Sequence, residues 1–266
     1  MLQLSESQQE ALDVFNNGES MLLTGAAGTG KTVLIKEMVA CAKDKGLKVQ
    51  VCATTGCAAV LLGVPGSKTI HSWAGIGLAA GDVDNIVRKV ATNRAKSKPW
   101  RDVQILFIDE VSMLSARLFE VLDEIARTVR KDPRPFGGIQ LMLSGDFYQL
   151  PPVGSDGEPG SSEFCFESAI WSAAVRRTVM LTHVFRQEDT AYASLLNQIR
   201  IGQLTMSGHE LLQSRVGAEY EGDIPPTLLY PRRKSVDVIN SRELEKLDAS
   251  TSHRYKMSRV EVELKT

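Results

Sequence analysis

A glycine-rich octapeptide, "GAAGTGKT" from Gly25 to Thr32, constrains this chain more than any other stretch of its sequence. It fits the spacing G-x-x-x-x-G-K-[ST], with the apolar residues "MLL" before it and a helical pattern after it. Glycines let backbone N–H groups wrap phosphate oxygens, and the N-terminus of the next helix adds partial positive charge. The motif therefore predicts a phosphate-binding loop, in which Lys31 reaches the β- and γ-phosphates and Thr32 is a ligand of Mg²⁺.

Short apolar segments that end in polar residues or glycine recur along the first two thirds of the chain. They are "SMLL", "VQVCA" (Val49 to Ala53), "VQILFI" (Val103 to Ile108), "IQLML" (Ile139 to Leu143) and "VML" (Val179 to Leu181). Helical patterns lie between them, from Val33 to Lys45 and along the apolar stripe from Leu118 to Val129. This alternation predicts an α/β fold with a parallel sheet covered by helices on both faces, and ligands gather at the carboxyl ends of such strands.

Two of the predicted strand ends and one helix start carry residues suited to nucleotide binding and hydrolysis. Asp109 ends the segment "LFIDE", where an acid can hold the shell of Mg²⁺, and its neighbour Glu110 can orient and deprotonate an attacking water. Gln149, in "SGDFYQLPPV", can sense a γ-phosphate through neutral hydrogen bonds. Gln8, in the helix start "LSESQ", could contact an adenine edge with its amide, although, taken alone, an ordinary surface glutamine is the better explanation.

Two further segments offer groups suited to single-stranded nucleic acid. "TTGCAA" contains Thr55 and Gly56, and "TIHSWAGIG" contains His71 and Trp73. Hydroxyls and backbone amides can hold phosphates, and aromatic rings can stack on bases. In isolation, a core tryptophan and an ordinary loop histidine are the simpler interpretation.

Charge and composition favour a globular intracellular protein and exclude few functions. The net charge is −1, so the chain lacks the basic total typical of many nucleic-acid binders. Between Asn85 and Arg101, however, there are six cations, among them Arg94, Lys96 and Lys98, and no acid. This segment is either a solvated surface or one that faces phosphates. Four cysteines without a C-x-x-C pair favour free thiols in a reducing compartment.

The pattern of apolar and polar residues changes near Phe185 and Arg186. A helical pattern around Leu195 and a candidate strand "TLLYP" (Thr227 to Pro231) follow, and they suggest the start of a second domain. The segment from Gly75 to Trp100 has weak periodicity and is predicted to be an insertion.

Taken in order, these motifs resemble those of the petite-integration-frequency (Pif) helicases. The segments that carry the resemblance are "LSESQ", "GAAGTGKT", "CATTGCAA", "TIHSWAGIG", "LFIDEVSM", "PFGGIQLMLSGDFYQLPPV", "FCFESAIW" and "LTHVFRQ". The stretch from Glu124 to Val153 is similar to the signature of that family, which is specific. A different P-loop ATPase, such as a protein remodeller, would account for the glycine-rich loop but not for this stretch.

The resemblance implies a role for each matching residue. Lys31, Asp109, Glu110, Gln149 and Arg186 are expected to act in catalysis, with Arg186 as the arginine that stabilises transition-state charge. ATP is expected on Gln8, Gly25, Ala26, Ala27, Gly28, Thr29, Gly30, Lys31 and Thr32, and Mg²⁺ on Thr32 and Asp109. DNA contacts are expected from Thr55, Gly56, His71, Trp73, Arg94, Lys96 and Lys98.

The same resemblance implies a fold and a function. We expect a P-loop NTPase fold with a RecA-like ATPase domain over residues 1–185, a small insertion at about 77–101, and an incomplete second motor domain over 186–266. The expected activity is ATP-dependent 5′→3′ unwinding of DNA, with single-stranded DNA and 5′-tailed duplexes as partners, in repair, recombination or telomere maintenance.

The later motifs of the family, a Thr/His–Lys–Ser–Gln–Gly stretch and an Ala–Leu–Ser–Arg stretch, are absent from this sequence. The alternative function is therefore a truncated nucleotide- and DNA-binding fragment without unwinding activity. The expected location is the nucleus or, as an alternative, the mitochondrion, without membrane attachment and as a monomer.

Overall fold

A computed structural model describes residues 4–185, 187, 189–220, 222, 226–247, 250, 253 and 255. The chain divides into two compact units, Met1–His209 and Glu210–Thr266. Such units do not test where one motor domain ends and another begins, so the predicted boundary between 185 and 186 stays a prediction. Within the described ranges, no helix has both the length and the apolar character needed to cross a membrane.

The first unit is built on a six-stranded sheet in which every strand pair is parallel. Its strands are β1 (Met21–Gly25), β2 (Val49–Ala53), β3 (Lys68–Thr69), β4 (Ile105–Asp109), β5 (Gln140–Gly145) and β6 (Arg177–Leu181). They lie in the order β3-β2-β4-β5-β1-β6. The strands predicted from the apolar segments are all present, and the predicted α/β class with a parallel sheet is confirmed.

Helices join the strands and cover both faces of the sheet. The first unit contains α1 (Glu6–Asn16), α2 (Lys31–Asp44), α3 (Gly56–Leu61), α4 (Ile70–Ala74), α5 (Val83–Ala91), α6 (Arg94–Asp102), α7 (Ala116–Arg130), α8 (Trp171–Ala174) and α9 (Thr190–Arg200). Two apolar cores result. The core on the α1 and α2 side includes Phe15, Leu34 and Met38, and the core on the α7 side includes Phe119 and Leu122.

The cationic segment folds as two packed helices, α5 and α6, which both contribute to the core on the α7 side. Ile86, Val87 and Val90 of α5 are buried, and Trp100 of α6 is fully buried against Trp73, with 4.5 Å between ring centroids. The cations point away from this packing and are exposed. The weak periodicity of the sequence thus concealed regular helices, because polar residues outnumber the few buried positions.

The signature stretch is held by a network around its tight turn. After α7, Phe136 and Gly137 adopt left-handed backbone conformations, with φ of 51° and 58°. The buried Asp123 carboxylate accepts the Phe136 N–H at 2.6 Å. Arg130 donates from Nε to the Gly137 carbonyl at 2.6 Å and from Nη1 to the Val103 carbonyl at 2.9 Å. These bonds anchor the start of β5 and therefore the position of the loop that follows it.

Gly137→Ala should lower the free energy of unfolding by about 2–5 kcal/mol, since left-handed backbone and overpacking both disfavour the added methyl. An added Cβ would lie 2.7 Å from the Ala126 carbonyl oxygen and 2.8 Å from Arg130 Cδ. Gly46→Ala is the matched control, because Gly46 has φ of 72° but open space around it. The control should cost only about 1–2 kcal/mol. Equal losses for the two variants in urea titrations would contradict the packing argument.

The second unit contains α11 (Arg233–Glu245), and α10 (Met206–Gln213) spans the boundary between the units. The strand predicted at "TLLYP" is wrong, because residues 226–230 have no regular secondary structure. Leu228 and Leu229 are 66% and 91% exposed. An extended segment forms a strand only when another strand pairs with it, and the described residues of this unit provide none.

Candidate functional site

The glycine-rich loop lies where predicted, between the carboxyl end of β1 and the first residue of α2. Gly28 and Gly30 have φ of 81° and 89°, which favour glycine. A Cβ on Gly25 would lie 2.5 Å from the Leu181 carbonyl oxygen, and one on Gly30 would lie 2.8 Å from Gln8 Nε2. The loop therefore requires glycine both for its backbone conformation and for its close neighbours.

Lys31 folds back over the loop that precedes it. Its Nζ donates to the carbonyl oxygens of Gly25 at 2.6 Å and Ala26 at 3.0 Å. Thr29 adds a bond from its hydroxyl to the Ala26 carbonyl at 2.9 Å. Burial lowers the pKa of Lys31, and the nearby carboxylates of Asp146, Asp109 and Glu110 oppose that shift. The ammonium group thus lies at the mouth of the loop, facing the acidic strand ends.

One cavity of about 420 Å³ brings most of the predicted nucleotide-site residues together, although Gln8, Gly25 and Ala26 do not line it. Its walls are formed by Ala27, Gly28, Thr29, Gly30, Lys31, Thr32, Val33, Asp109, Glu110, Gln149 and Phe185. These residues come from the loop after β1, from α2, from the end of β4 and from the segments after β5 and β6, which are far apart in the sequence but meet at the carboxyl edge of the sheet. A larger cavity of about 680 Å³ shares Thr32, Asp109, Glu110 and Gln149 and extends toward α3.

The two acids differ in environment. Asp109 ends β4 and is 8% exposed, and burial raises its pKa, while the adjacent Ser144 hydroxyl and Lys31 act in the opposite direction. Burial also raises the pKa of Glu110, and the negative charge of Asp109 raises it further. Glu110 has a left-handed backbone, with φ of 56°, and its carbonyl accepts the Thr54 hydroxyl at 3.0 Å. The more accessible Glu110 is the better placed of the two acids to meet a water molecule.

Gln149 is exposed on a turn that follows β5. Its N–H donates to the Asp146 carbonyl at 2.9 Å, and the Asp146 carboxylate accepts the Tyr148 N–H at 3.2 Å. Arg200, at the end of α9, binds both oxygens of the same carboxylate at 2.7 Å. Burial raises the pKa of Asp146, but the bonds from Arg200 outweigh it and hold that pKa below its ordinary value.

Gln8 is buried rather than on the surface. Its Oε1 accepts the Ser5 N–H at 3.0 Å in a capping box at the start of α1, and its Nε2 lies against Gly30. Ser5 in turn accepts the Gln8 N–H at 3.3 Å. The amide nitrogen therefore lies beside the glycine-rich loop, which is consistent with the predicted contact to a nucleotide base.

Arg186 lies outside the described residues, so its predicted role stays a prediction. Its neighbour Phe185 lines the main cavity, and the Phe185 N–H donates to the Gly28 carbonyl at 2.9 Å. The segment after β6 therefore contacts the glycine-rich loop directly. Sequence reasoning missed Phe185, Asp146 and Arg200. The position of Asp146 after a strand could have revealed it, whereas Arg200 carries no local signal.

The residues of the cavity fit a nucleoside triphosphate with Mg²⁺. Gly28 and Gly30 hold the loop in a left-handed backbone conformation, and a helix N-terminus follows it. Magnesium binds proteins through one or two carboxylates together with waters and phosphates. Asp109 and the Thr32 hydroxyl supply such oxygens, and no group of three or more His, Cys, Asp or Glu side chains suited to a metal occurs among the described residues.

The residues predicted to contact DNA differ in how exposed their side chains are to solvent. Thr55 caps α3 by accepting the Ala58 N–H at 3.2 Å, and Gly56 is exposed beside it. His71 is half-buried, and burial lowers its pKa, which favours the neutral form. Trp73 is 6% exposed and packs on Trp100, so its ring offers no open face for base stacking in this conformation.

Among the cations of the segment Asn85–Arg101, Lys98 forms an ion pair with Asp102, the residue that follows the acid-free run. Arg94 and Lys96 are exposed and form no ion pair with any residue that the structure describes. The aliphatic part of the Lys96 side chain packs against Gly75, where an added Cβ would lie 3.2 Å from it. The segment thus presents positive charge on both α5 and α6, and α6 packs beside the short helix that contains His71.

Three comparisons place this geometry among known proteins. The sequence model of the PIF1-like helicase family matches residues 3–209. "ATP-dependent DNA helicase PIF1" of Emericella nidulans is 41% identical over 92% of this chain and 33% of the relative. The crystal structure of the Pif1 helicase from Candida albicans superposes with a TM-score of 0.84 at 38% identity, over 94% of this chain and 56% of that one.

A Pif1 helicase from Bacteroides, solved in complex with ADP-AlF3 and single-stranded DNA, superposes with a TM-score of 0.76 at 26% identity. That match covers 93% of this chain and 58% of the Bacteroides chain. The present chain spans about a third of the length of the first curated relatives it matches.

Proposed function

The chain belongs to the PIF1-like helicase family, and from this premise we propose that it couples ATP hydrolysis to 5′→3′ movement along single-stranded DNA and to duplex unwinding. The single observation that carries the proposal is the cavity that joins Lys31, Glu110 and Gln149. A protein that only binds its nucleotide needs one carboxylate, such as Asp109, to hold Mg²⁺, and has no need for the second carboxylate that Glu110 supplies.

Each side chain of the cavity has a task in this reaction. Lys31 leaves its loop carbonyls and places its ammonium group on the β- and γ-phosphates. Glu110 accepts a proton from the attacking water, and its raised pKa brings the carboxylate closer to the basicity needed for that transfer. Gln149 reports the presence of the γ-phosphate through its amide.

Thr32 and Asp109 would hold Mg²⁺. When bound, the cation neutralises charge that develops on the β- and γ-oxygens. Ser144, beside Asp109, helps to keep that carboxyl ionised. Gln8 would contact the base, and Arg186 would supply positive charge to the transition state.

The proposed partners are single-stranded DNA and duplexes with a 5′ tail. Support comes from exposed Gly56, from the half-buried His71 and from the cations of α6. The Bacteroides relative was solved with single-stranded DNA, which is the same class of ligand. We further propose a reducing intracellular compartment, the nucleus or alternatively the mitochondrion.

A test combines turnover with unwinding. ATP hydrolysis by the 266-residue chain should rise when oligo-dT is added, and a 5′-tailed duplex should be displaced while a 3′-tailed duplex is not. Turnover that DNA stimulates, without displacement of either duplex, would support the narrower function of a DNA-dependent ATPase. Turnover that ignores DNA would contradict both functions.

Replacing Arg94, Lys96 and Lys98 with Gln should weaken binding to single-stranded DNA and flatten its salt dependence. For a single strand, the slope of log K against log salt falls by about 0.7 for each phosphate that the protein no longer neutralises. Lys36, Lys43 and Lys131→Gln, which remove three exposed cations outside this segment, serve as the matched control and should leave the slope unchanged. If a fluorescence titration gives an unchanged slope for the triple variant, α6 is a solvated surface and does not contact DNA phosphates.

A further inference from the structure

A buried ion pair connects the turn that carries Gln149 to α9. Arg200 donates from Nε to Asp146 Oδ2 and from Nη2 to Oδ1, both at 2.7 Å. The Asp146 side chain is 2% exposed and that of Arg200 is 24% exposed. Two parallel bonds between a guanidinium and a carboxylate fix orientation as well as distance. Arg200 lies outside every motif that predicts the nucleotide site.

The same carboxylate shapes the turn itself. Asp146 accepts the N–H of Tyr148 through Oδ1, and its carbonyl accepts the N–H of Gln149. The Arg200 guanidinium also lies over the Tyr148 ring, 4.4 Å from its centroid. One arginine therefore contacts both the carboxylate and the aromatic ring of the residues that precede Gln149 on the turn.

The opposite side of this connection meets the glycine-rich loop. A cavity of about 330 Å³ is bounded by Ala26 and Ala27, by the turn with Gln149, and by α9 residues that include Leu196 and Arg200. Gln149 also lines the main nucleotide cavity. A shift of Gln149 toward a bound phosphate would therefore pull on Asp146 and, through the two bonds, on α9.

We propose that Arg200 is a positioning residue for nucleotide hydrolysis, which holds Gln149 in place through Asp146 and transmits the state of the γ-phosphate to α9. This inference rests on the proposed function, because it needs a nucleotide in the main cavity. It differs from a structural ion pair in one measurable respect. A structural pair affects stability, whereas a positioning pair controls how the turn responds to nucleotide.

Hydrogen exchange measured by mass spectrometry tests this difference in the whole chain. We compare wild type, Arg200→Met and Asp146→Asn, each with and without Mg²⁺ and a slowly hydrolysed ATP analogue, in peptides covering 25–32 and 146–150. In wild type, the nucleotide should slow exchange in both peptides. In the two variants it should still protect 25–32 but no longer protect 146–150.

Turnover gives a second readout. We expect kcat to fall about 10- to 100-fold in Arg200→Met, with KM for ATP within a factor of about two, because a misplaced group affects the reaction more than binding. Arg200→Lys keeps the charge but not the paired bonds, so its kcat should lie in between. Arg177→Met is the matched control, since it removes an arginine paired with Glu19 at 3.1 Å, and it should leave both readouts unchanged.

The outcomes distinguish a wrong positioning role for Arg200 from a wrong proposed function. Nucleotide protection of 146–150 that survives in Arg200→Met would overturn the positioning role while leaving the proposed function intact. Loss of protection in both peptides in Arg200→Met, Arg200→Lys and Asp146→Asn would also overturn it, in favour of a structural pair. An unprotected 25–32 peptide in wild type would instead show that the proposed nucleotide site is wrong.

Discussion

Glu110→Gln is expected to slow ATP hydrolysis by about 10²- to 10⁴-fold, the usual contribution of a general base. The amide keeps the size of the carboxylate but cannot accept the proton of the attacking water. Nucleotide affinity should stay near that of wild type, because the glycine-rich loop, Lys31 and Thr32 are untouched. Single-turnover hydrolysis with equilibrium binding of a fluorescent ATP analogue measures the two effects separately.

The pH dependence provides a sharper check of the same residue. A base works only when ionised, so wild-type turnover should fall as pH drops through the pKa of Glu110, which burial and Asp109 raise above 4.5. Glu110→Gln should lose this acid limb. Glu37→Gln, an exposed glutamate of α2, should keep both the rate and the limb. A variant at Glu110 with normal turnover would assign the base to another group.

Local motifs were the part of the site that the sequence could predict. The glycine-rich loop, Asp109 and Glu110 each follow an apolar strand within a few residues, and parallel topology brings their carboxyl ends to one edge. That rule is sufficient to join residues 31, 109, 110 and 149 into one cavity. The structure adds the strand order, in which β4, β5 and β1 are neighbours, so that the three strand ends meet in one cavity.

The sequence could not predict interactions between residues that are far apart along the chain. Arg200 and Asp146 are 54 positions apart, and nothing near Arg200 distinguishes it from other arginines at helix ends. Trp73 illustrates the opposite difficulty. Its neighbours suggest DNA, yet it packs on Trp100, since α5 and α6 build a local core that weak periodicity did not reveal. The segment 227–231 resembled a strand because it is rich in apolar residues. It does not form one, because apolar residues alone do not supply a pairing partner.

Lys31→Ala should have the other large effect, and it tests whether the loop binds phosphate at all. The variant loses a positive charge that the main cavity offers to the β- and γ-phosphates. Hydrogen bonds to charged groups contribute about 1.5–3 kcal/mol, so affinity for ATP should fall about 10- to 100-fold. Turnover should fall further, by about 10²- to 10³-fold beyond the weaker binding, because negative charge builds on the phosphates during transfer.

Two comparisons make this result specific. Lys36→Ala removes an exposed lysine of the same helix and should leave ATP affinity unchanged. Burial lowers the pKa of Lys31 below 10.5, so wild-type affinity should weaken as pH rises toward that lowered pKa and the ammonium loses its proton. Lys31→Ala should show no such alkaline loss. Calorimetry that finds equal ATP affinity for wild type and Lys31→Ala would remove the glycine-rich loop from the nucleotide site, since no other cation of the described residues lines that cavity.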